Sequence, residues 1–328
     1  MSNLLDKASI ILTPTASNTS EVLCVKPSDG TGDFDFSRAT EATRINSLGL
    51  VETIGINLPR INYEGGCGSW LWEPQSTNLY LNSETLSTQT ITTTANQYSV
   101  SFYGTGTITF SGTYTGSLIG TGLNDRVTAT FTATSGTLTS TISGTVTKAQ
   151  IEQLSYTTSY IPTSGSTVTR NQDLCTNGGS LASINSTEGT LYAEIAALAN
   201  DLSNRQISLN NGTTDDRIQL YFNTSSNRVS VFYKSQSGAT QFILNHTLSD
   251  IKQFNKLAFK WKQNDFALWS NGLEVATQTS GVTSIANTLT NLDFQQFNSA
   301  ADFFGKTKAL AVWKEALTDA ELTELTTI

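Results

Sequence analysis

The sequence predicts an all-β protein, and two observations carry this prediction. The chain of 328 residues contains 24 glycines, 5 prolines and only 14% charged residues, together with many threonines, serines and asparagines. This composition is typical of strands and turns, whereas surface helices are rich in Glu and Lys. The second observation is a strand-and-turn pattern with the densest aromatic content of the chain, in residues 256–279.

Residues 256–279 predict a meander of three antiparallel strands. Apolar residues alternate with small or charged ones over 257–261, which gives a strand with one apolar face. The Asn-Gly pair at 271–272 supplies the positive φ angles that a two-residue hairpin turn needs. Because such a meander needs a second sheet against its apolar face, we expect a sandwich of about nine or ten strands over 181–328.

One helix start is clear in the sequence. Thr318 is a suitable N-cap, and Glu321 stands three residues later, where it completes a capping box. Leu317 and Leu322 occupy the hydrophobic staple positions on either side. We expect this short C-terminal helix to pack its leucines on the edge of the sandwich.

Residues 82–163 predict a smaller β-sandwich of jelly-roll type. Threonine and serine alternate with evenly spaced apolar residues, and glycine-containing turns recur roughly every 8 to 12 residues. A disordered linker would share the Ser and Thr content, but it would not keep this spacing. The apolar positions are Val100, Phe102, Ile108, Phe110, Val127, Phe131, Leu138, Ile142 and Val146.

Residues 1–81 have little regular pattern and contain four of the five prolines. Because proline restricts the residue before it to extended conformations, we expect short strands and ordered loops there. Such a segment gains order by packing on neighbours, so we predict an attachment or oligomerisation region. Residues 164–180 are a short polar linker in this interpretation.

Charge and cysteine content exclude several classes of function. Binding to nucleic acid requires a basic patch, which a chain with a net charge of −8 and a pI near 4.7 is not expected to have. Cys24, Cys67 and Cys175 are far apart, which favours free thiols and assembly in a reducing cytoplasm. The sequence shows neither a signal peptide nor a run of about 20 apolar residues, so we expect no membrane insertion.

No catalytic constellation is evident in the sequence. Glycoside hydrolysis needs two carboxyl groups about 5 to 10 Å apart, and strand residues two apart share a face. The adjacent Asp215 and Asp216 would instead point to opposite faces, so we interpret them as turn acids. His246 is the only histidine, and no serine lies in a GxSxG elbow. The chain is therefore predicted not to be an enzyme.

Several segments resemble the recurrent N-terminal signature of tailed-bacteriophage virion proteins, and a middle segment is similar to one that closes a carbohydrate-binding-module-like sandwich in the same proteins. The C-terminal half resembles the concanavalin A-like or laminin-G-like fold. The segments are DKASIILTPTA (6–16), FDFSRATEATRINSLGLVE (34–52), LPRINY (58–63) and LWEPQSTNLYLNSE (71–84), then SYTTSYIPTSGSTVTRNQD (155–173), and finally EGTLYAE (188–194), FKWKQNDFALWSNGLEV (259–275) and ALAVWKEALTDAELTEL (309–325).

This resemblance implies a component of a virion, assembled in the cytoplasm of a bacterial host. It would be a head fibre or decoration, or a tail fibre, and its partners would be other capsid or tail proteins. Homo-oligomers are implied, with trimers favoured. The implied attachment residues are Phe36, Arg38, Arg44, Arg60, Trp70 and Trp72. We expect Trp70 and Trp72, which share one face, to pack against another domain.

The lectin-like resemblance specifies a fold better than a function. It leaves open a module that binds a host surface glycan, a purely structural capsid decoration, and a less favoured polysaccharide depolymerase. The candidate ligand contacts are Trp269, Tyr221, Tyr233, Asp215 and Asp216, whereas Trp261 is assigned to the core. No cofactor is predicted. A calcium ion at the rim stays open, with candidate ligands at Asp201, Asp215, Asp216, Asp293 and Asp302.

Overall fold

The computed structural model describes residues 2–235, 238–297 and 301–327. The protein is all-β, with 28 strands and two short helices in the described chain. It divides into two compact units, and the chain passes between them after residues 37, 56, 72 and 172. Unit 1 comprises residues 1–37, 57–72 and 173–328, and unit 2 comprises residues 38–56 and 73–172.

This division differs from the predicted boundaries at residues 81, 163 and 180. The short extended pieces of the N-terminal quarter do not form a region of their own, because they pair as strands with segments far away in the sequence. The attachment role assigned to that quarter stays a prediction.

A sheet of eight strands forms one layer of unit 1. Strand alternation in its central strand directs Leu191, Ala193 and Ile195 into the core. In sheet order the strands are β26 (Leu273–Gln278), β25 (Asp265–Ser270), β24 (Asn255–Lys262), β19 (Glu188–Ala197), β28 (Gly305–Trp313), β8 (Ser69–Trp72) and β7 (Ile61–Asn62), with β1 (Ile10–Leu12) also paired to β28.

A sheet of five strands packs against it across one apolar core, which confirms the predicted sandwich. Ile218, Leu220 and Phe222 alternate into that core from a single strand. In sheet order the strands are β23 (Ala239–Thr247), β22 (Arg228–Ser235), β21 (Arg217–Phe222), β20 (Arg205–Asn210) and β27 (Asn291–Asp293).

A third sheet adds Val22, Phe34 and Phe36 to the same core. Its strands are β18 (Leu174–Thr176), β4 (Phe34–Ser37), β3 (Glu21–Val22) and β2 (Ser17–Asn18). β18 falls within the predicted linker, which is therefore partly a core strand. The predicted linker also holds a strand of unit 2.

Helices α1 (Ser2–Lys7) and α2 (Asp319–Thr326) lie against a second apolar cluster of unit 1. The α2 N-cap confirms the predicted capping box, because Thr318 Oγ1 accepts from the Glu321 N–H and Glu321 Oε2 accepts from the Thr318 N–H. Leu317 and Leu322 are both buried in this cluster, as the staple predicts.

Unit 2 contains the predicted small sandwich. Seven of the nine predicted apolar positions are buried, and Val127 and Ile142 pack against them partly exposed. The strands are β10 (Gln89–Thr93), β15 (Gly136–Ser143), β12 (Thr107–Gly112) and β13 (Gly116–Ile119) in one sheet; β14 (Gly122–Thr132), β11 (Gln97–Gly104) and β16 (Thr147–Glu152) in another; and the pairs β17 (Val168–Arg170) with β9 (Ser76–Asn78) and β5 (Ala42–Ile45) with β6 (Val51–Ile54).

Candidate functional site

The side of the five-stranded sheet that faces away from the core is the candidate site, and we call it the outer face. Ile218, Leu220 and Phe222 of β21 point into the core, so the alternate residues of that strand point outward. Pairing sets Tyr221 opposite Ser230 and Gln219 opposite Phe232. The outer face carries Gln206, Ser208, Asn210, Arg217, Gln219, Tyr221, Arg228, Ser230, Phe232, Lys234, Ile243 and Asn245.

Hydrogen bonds between neighbouring strands fix the polar side chains of this face. Gln219 Nε2 donates to Gln206 Oε1 at 2.6 Å. Ser230 Oγ accepts from Asn223 Nδ2 and donates to Asn245 Oδ1, both at 2.7 Å. Because each group is oriented before a ligand arrives, the face is preorganised for polar contacts.

Access to solvent varies across the face. Ile243 is half exposed and Asn245 is exposed, whereas Gln206 and Gln219 are largely buried. Phe232 and Tyr221 lie between these extremes and are partly exposed. The face therefore combines an open part with a recessed polar part.

Two arginines of the outer face, Arg217 and Arg228, form no ion pair among the described residues, whereas Arg60, Arg170 and Arg205 each pair with an acid. The Nε atoms of Arg217 and Arg228 are buried and have no hydrogen-bond partner among the described residues. Arg217 lies 5.1 Å from the ring centroid of Phe232 and 5.7 Å from that of Phe297. Burial lowers the pKa of Arg217 from its ordinary value.

Of the predicted ligand contacts, Tyr221 lies on the outer face and is half-buried. Burial raises the pKa of its hydroxyl, while Ser230 and Arg228 act in the opposite direction. Asp215 is an exposed turn residue, and Asp216 beside it is buried. The structure thus brings one of the five predicted contacts into the outer face.

Tyr233 and Trp269 lie elsewhere than expected. Tyr233 shares the inward direction of Val229 and Val231, so it is fully buried, and its hydroxyl accepts the Ser284 N–H at 2.9 Å. Trp269 belongs to the apolar cluster of α2 and is only 5% exposed. Neither ring is open to a ligand in this structure.

Sequence reasoning missed Arg217, Gln219, Arg228 and Phe232. The available signal was strand parity, since the apolar residues of β21 and β22 leave polar or aromatic side chains at every alternate position. A solvated sheet face does not require two arginines and a glutamine at those positions.

The residues assigned to attachment are mostly internal. Phe36, Trp70 and Trp72 are buried in the core of unit 1, where Arg60 forms a fully buried ion pair with Asp173 at 2.5 Å. In unit 2, Arg38 is buried and donates to the carbonyls of Thr40 and Gly55, whereas Arg44 pairs with Glu52 at 2.8 Å and is partly exposed. Their contact with a partner stays a prediction.

Unit 2 contains a mostly apolar pocket of about 350 Å³. Residues 39–43 line one part of it, and residues 160–162 and 168–170 line the other. The Asn171 N–H donates to Thr40 Oγ1 at 2.9 Å, which holds the two segments together.

Metal binding has no clear place in the part of the chain that the structure describes. No group of three or more His, Cys, Asp or Glu side chains there is arranged to hold a metal ion. Among the calcium candidates, Asp293 already accepts from the Asn177 N–H and from Asn210 Nδ2.

Across the described residues, no helix has the length and apolar character to cross a membrane.

Comparisons with known proteins found a partial likeness to carbohydrate-binding domains. The CBM40 of the Ruminococcus gnavus IT-sialidase, bound to α2,3-sialyllactose, is similar with 20% identity and a TM-score of 0.38 over 43% of this chain and 83% of that chain. The leech intramolecular trans-sialidase is similar with 20% identity and a TM-score of 0.37 over 44% of this chain and 24% of that chain.

Domain 4 of AbnA, a GH43 extracellular arabinanase from Geobacillus stearothermophilus in complex with arabinotriose, is similar with 13% identity and a TM-score of 0.40. That likeness covers 48% of this chain and 73% of that chain. No family model matches the chain, and no curated protein matches it.

Proposed function

We propose that the protein is a non-enzymatic component of a tailed-bacteriophage particle, and that the outer face of unit 1 binds a glycan of the host surface. The observation that supports glycan binding is the outer face itself. Its amides and hydroxyls are held by cross-strand hydrogen bonds, and the rings of Tyr221 and Phe232 lie among them. Fixed polar groups suit sugar hydroxyls, and an aromatic ring suits the apolar side of a sugar.

Binding without hydrolysis is favoured by the residue types of this face. Hydrolysis needs two carboxyl groups on either side of the scissile bond. Asp293, on the edge strand β27, uses both of its oxygens in hydrogen bonds to Asn177 and Asn210. The described outer-face residues of the other four strands are amides, hydroxyls, cations, rings and one aliphatic residue, none of them an acid.

The virion assignment rests on the sequence segments that resemble phage structural proteins, at 6–16, 34–52, 58–63, 71–84 and 155–173. A particle component is present in many copies. Weak binding at each outer face would then add up to strong attachment through avidity, provided that several copies reach the same surface.

Glycan binding is tested with the full-length protein on an array of bacterial surface glycans. The Gln219→Ala variant removes a fixed amide of the outer face, and we expect it to weaken binding roughly 10-fold or more. Leu273→Ala, on the exposed edge strand β26, is the matched control and should bind like the wild type. If the folded full-length protein binds no glycan at all, the proposal for the outer face is wrong.

The virion part is tested separately by immunogold electron microscopy of purified particles from the phage that encodes the chain. Label on heads or tails supports it and also distinguishes the two positions. Unlabelled particles overturn it. If particles carry the protein and its deletion lowers their stability without changing adsorption, a purely structural decoration replaces the glycan-binding proposal.

A further inference from the structure

Arg217 is a buried cation without a carboxylate partner. Only 9% of the residue is exposed, and its one hydrogen bond within the described chain runs from Nη1 to the Thr214 carbonyl at 2.6 Å. The residues outside the described ranges include no Asp or Glu. A charged group in this position is costly unless an opposite charge satisfies it.

Three other deeply buried arginines meet this cost by pairing with an acid. Arg60 pairs with Asp173, Arg170 pairs with Glu73 at 2.6 Å, and Arg205 pairs with Asp201 at 2.8 Å. Arg217 is held instead by the rings of Phe232 and Phe297. The N–H groups of a guanidinium lie in its plane, so stacking on rings leaves the donors available for an anion.

The surroundings of Arg217 add positive charge on the same face. Lys234 lies directly opposite it in the neighbouring strand and forms no ion pair within the described chain. The exposed Asp215 is the acid that acts on Arg217, by raising its pKa, and it makes no ion pair with it. An anion at Arg217 would therefore meet two cations in a chain whose net charge is −8.

We propose that Arg217 binds the carboxylate of an acidic sugar, so that the outer face prefers acidic over neutral glycans. This inference rests on the proposed glycan binding. A carboxylate fits the planar guanidinium with paired hydrogen bonds. Gln219, two residues along the same face, and the ring of Phe232 then contact the rest of the sugar. A single carboxylate suits this site better than a polyanion, because the whole chain is acidic and repels dense negative charge.

The test measures binding of the full-length protein to oligosaccharides that carry a single galacturonic acid or a single N-acetylneuraminic acid residue, each beside its carboxyl-reduced counterpart. We expect the wild type to bind the acidic form roughly 10-fold or more tightly than the reduced form. Arg217→Met should abolish that preference while binding of the reduced form remains. Arg217→Lys keeps the positive charge but loses the planar guanidinium that forms paired hydrogen bonds with a carboxylate. It should therefore keep only part of the preference.

The matched control is Arg228→Met, which removes the second unpaired arginine of the face and should leave the preference for the acidic form intact. Equal binding of the acidic and reduced forms by the wild type overturns the inference but leaves glycan binding in place. A preference that survives Arg217→Met and is lost in Arg228→Met also overturns it. Absence of binding to both forms, and to every neutral glycan, overturns the proposed function itself.

Discussion

Asp302 is a buried acid whose charge the fold does not compensate. It is 8% exposed, and Oδ1 has no hydrogen-bond partner in the described part of the chain. Burial raises its pKa from 3.8 to about 6. Between these values the unfolded chain releases the proton while the folded protein keeps it, so the free energy of unfolding falls as the pH rises.

We therefore predict that Asp302→Asn stabilises the protein at pH 7, by about 1–2 kcal/mol after allowance for partial screening by water. The measurement is urea unfolding of both proteins at several pH values. The difference should shrink toward zero at about pH 4, where the folded wild type is protonated. A difference that stays constant from pH 4 to pH 7 would contradict the assignment.

The buried pair of Arg60 and Asp173 gives a second prediction. Asp173→Asn leaves the guanidinium without its charge partner, so we expect a loss of about 3–5 kcal/mol in the free energy of unfolding. The pair Lys306 and Glu64, at 2.8 Å and partly exposed, provides the control. Lys306→Met should cost less than about 1 kcal/mol.

Tryptophan fluorescence reports on unit 1 alone in these experiments. The chain has five tryptophans, and all of them belong to unit 1: Trp70, Trp72, Trp261, Trp269 and Trp313. If Asp173→Asn and Lys306→Met shift the fluorescence transition equally, the buried pair does not stabilise unit 1 in the way proposed.

Strand parity explains which predictions at the residue scale could be made from the sequence. Tyr233 shares its parity with the apolar Val229 and Val231, so its burial was available in the pattern. Trp269 is different, because its strand is buried on both sides. Phe266 and Leu268 fill the main core, while Trp269 packs in the cluster of a helix that lies about 50 residues later in the chain. The local sequence pattern does not reveal that helix α2 packs near Trp269.

Helix α2 gives a prediction at the scale of one element. Thr318→Ala removes the oxygen that accepts the Glu321 N–H, so we expect it to destabilise the helix by about 1 kcal/mol. Thr323→Ala, on the same helix, is the control. Its hydroxyl bonds back to the Asp319 carbonyl, which the helix does not depend on.

Hydrogen exchange of residues 319–326 measures this effect directly. Tryptophan fluorescence offers a second readout, because Trp269, Trp313 and Leu322 belong to one cluster. Equal exchange rates in the wild type and Thr318→Ala would mean that tertiary packing, rather than the cap, holds the helix.

Elements with strong local signals were predictable. The three strands of the C-terminal meander appear as β24, β25 and β26, and Asn271 and Gly272 both have positive φ, at 50° and 86°. The short strands of the N-terminal quarter carry no such signal. Ile11 of β1 pairs with Ala311 of β28, and a three-residue strand cannot specify a partner that distant in sequence.

The whole molecule gives a prediction about the fragment 181–328, which the sequence indicated as a separate domain. In the structure, that fragment lacks the unit 1 strands β1, β2, β3, β4, β7, β8 and β18. Its core would lose Ile10, Leu12, Val22, Phe34, Phe36, Trp70, Trp72 and Cys175. We expect the fragment to be loosely packed, because these buried side chains cannot be replaced by water without a large loss of stability.

Near-ultraviolet circular dichroism and binding of a hydrophobic dye check this expectation against the full-length protein. A fragment that shows fixed aromatic signals and no dye binding would contradict it.

Domain boundaries were the least predictable feature of this chain. A discontinuous unit depends on pairing between distant segments, whereas composition changes only along the sequence.

The pairing of β1 with β28 has a consequence for biosynthesis. Unit 2 is fully translated once residue 172 has left the ribosome, so it can fold while the remaining chain is still being made. The large sheet must wait for residues 305–313, near the end of the chain, before β19 and β1 find their common neighbour. Until then, the apolar strands of the nascent polypeptide are exposed to chaperones, and a premature stop codon just upstream of residue 305 would release a product that cannot complete this sheet.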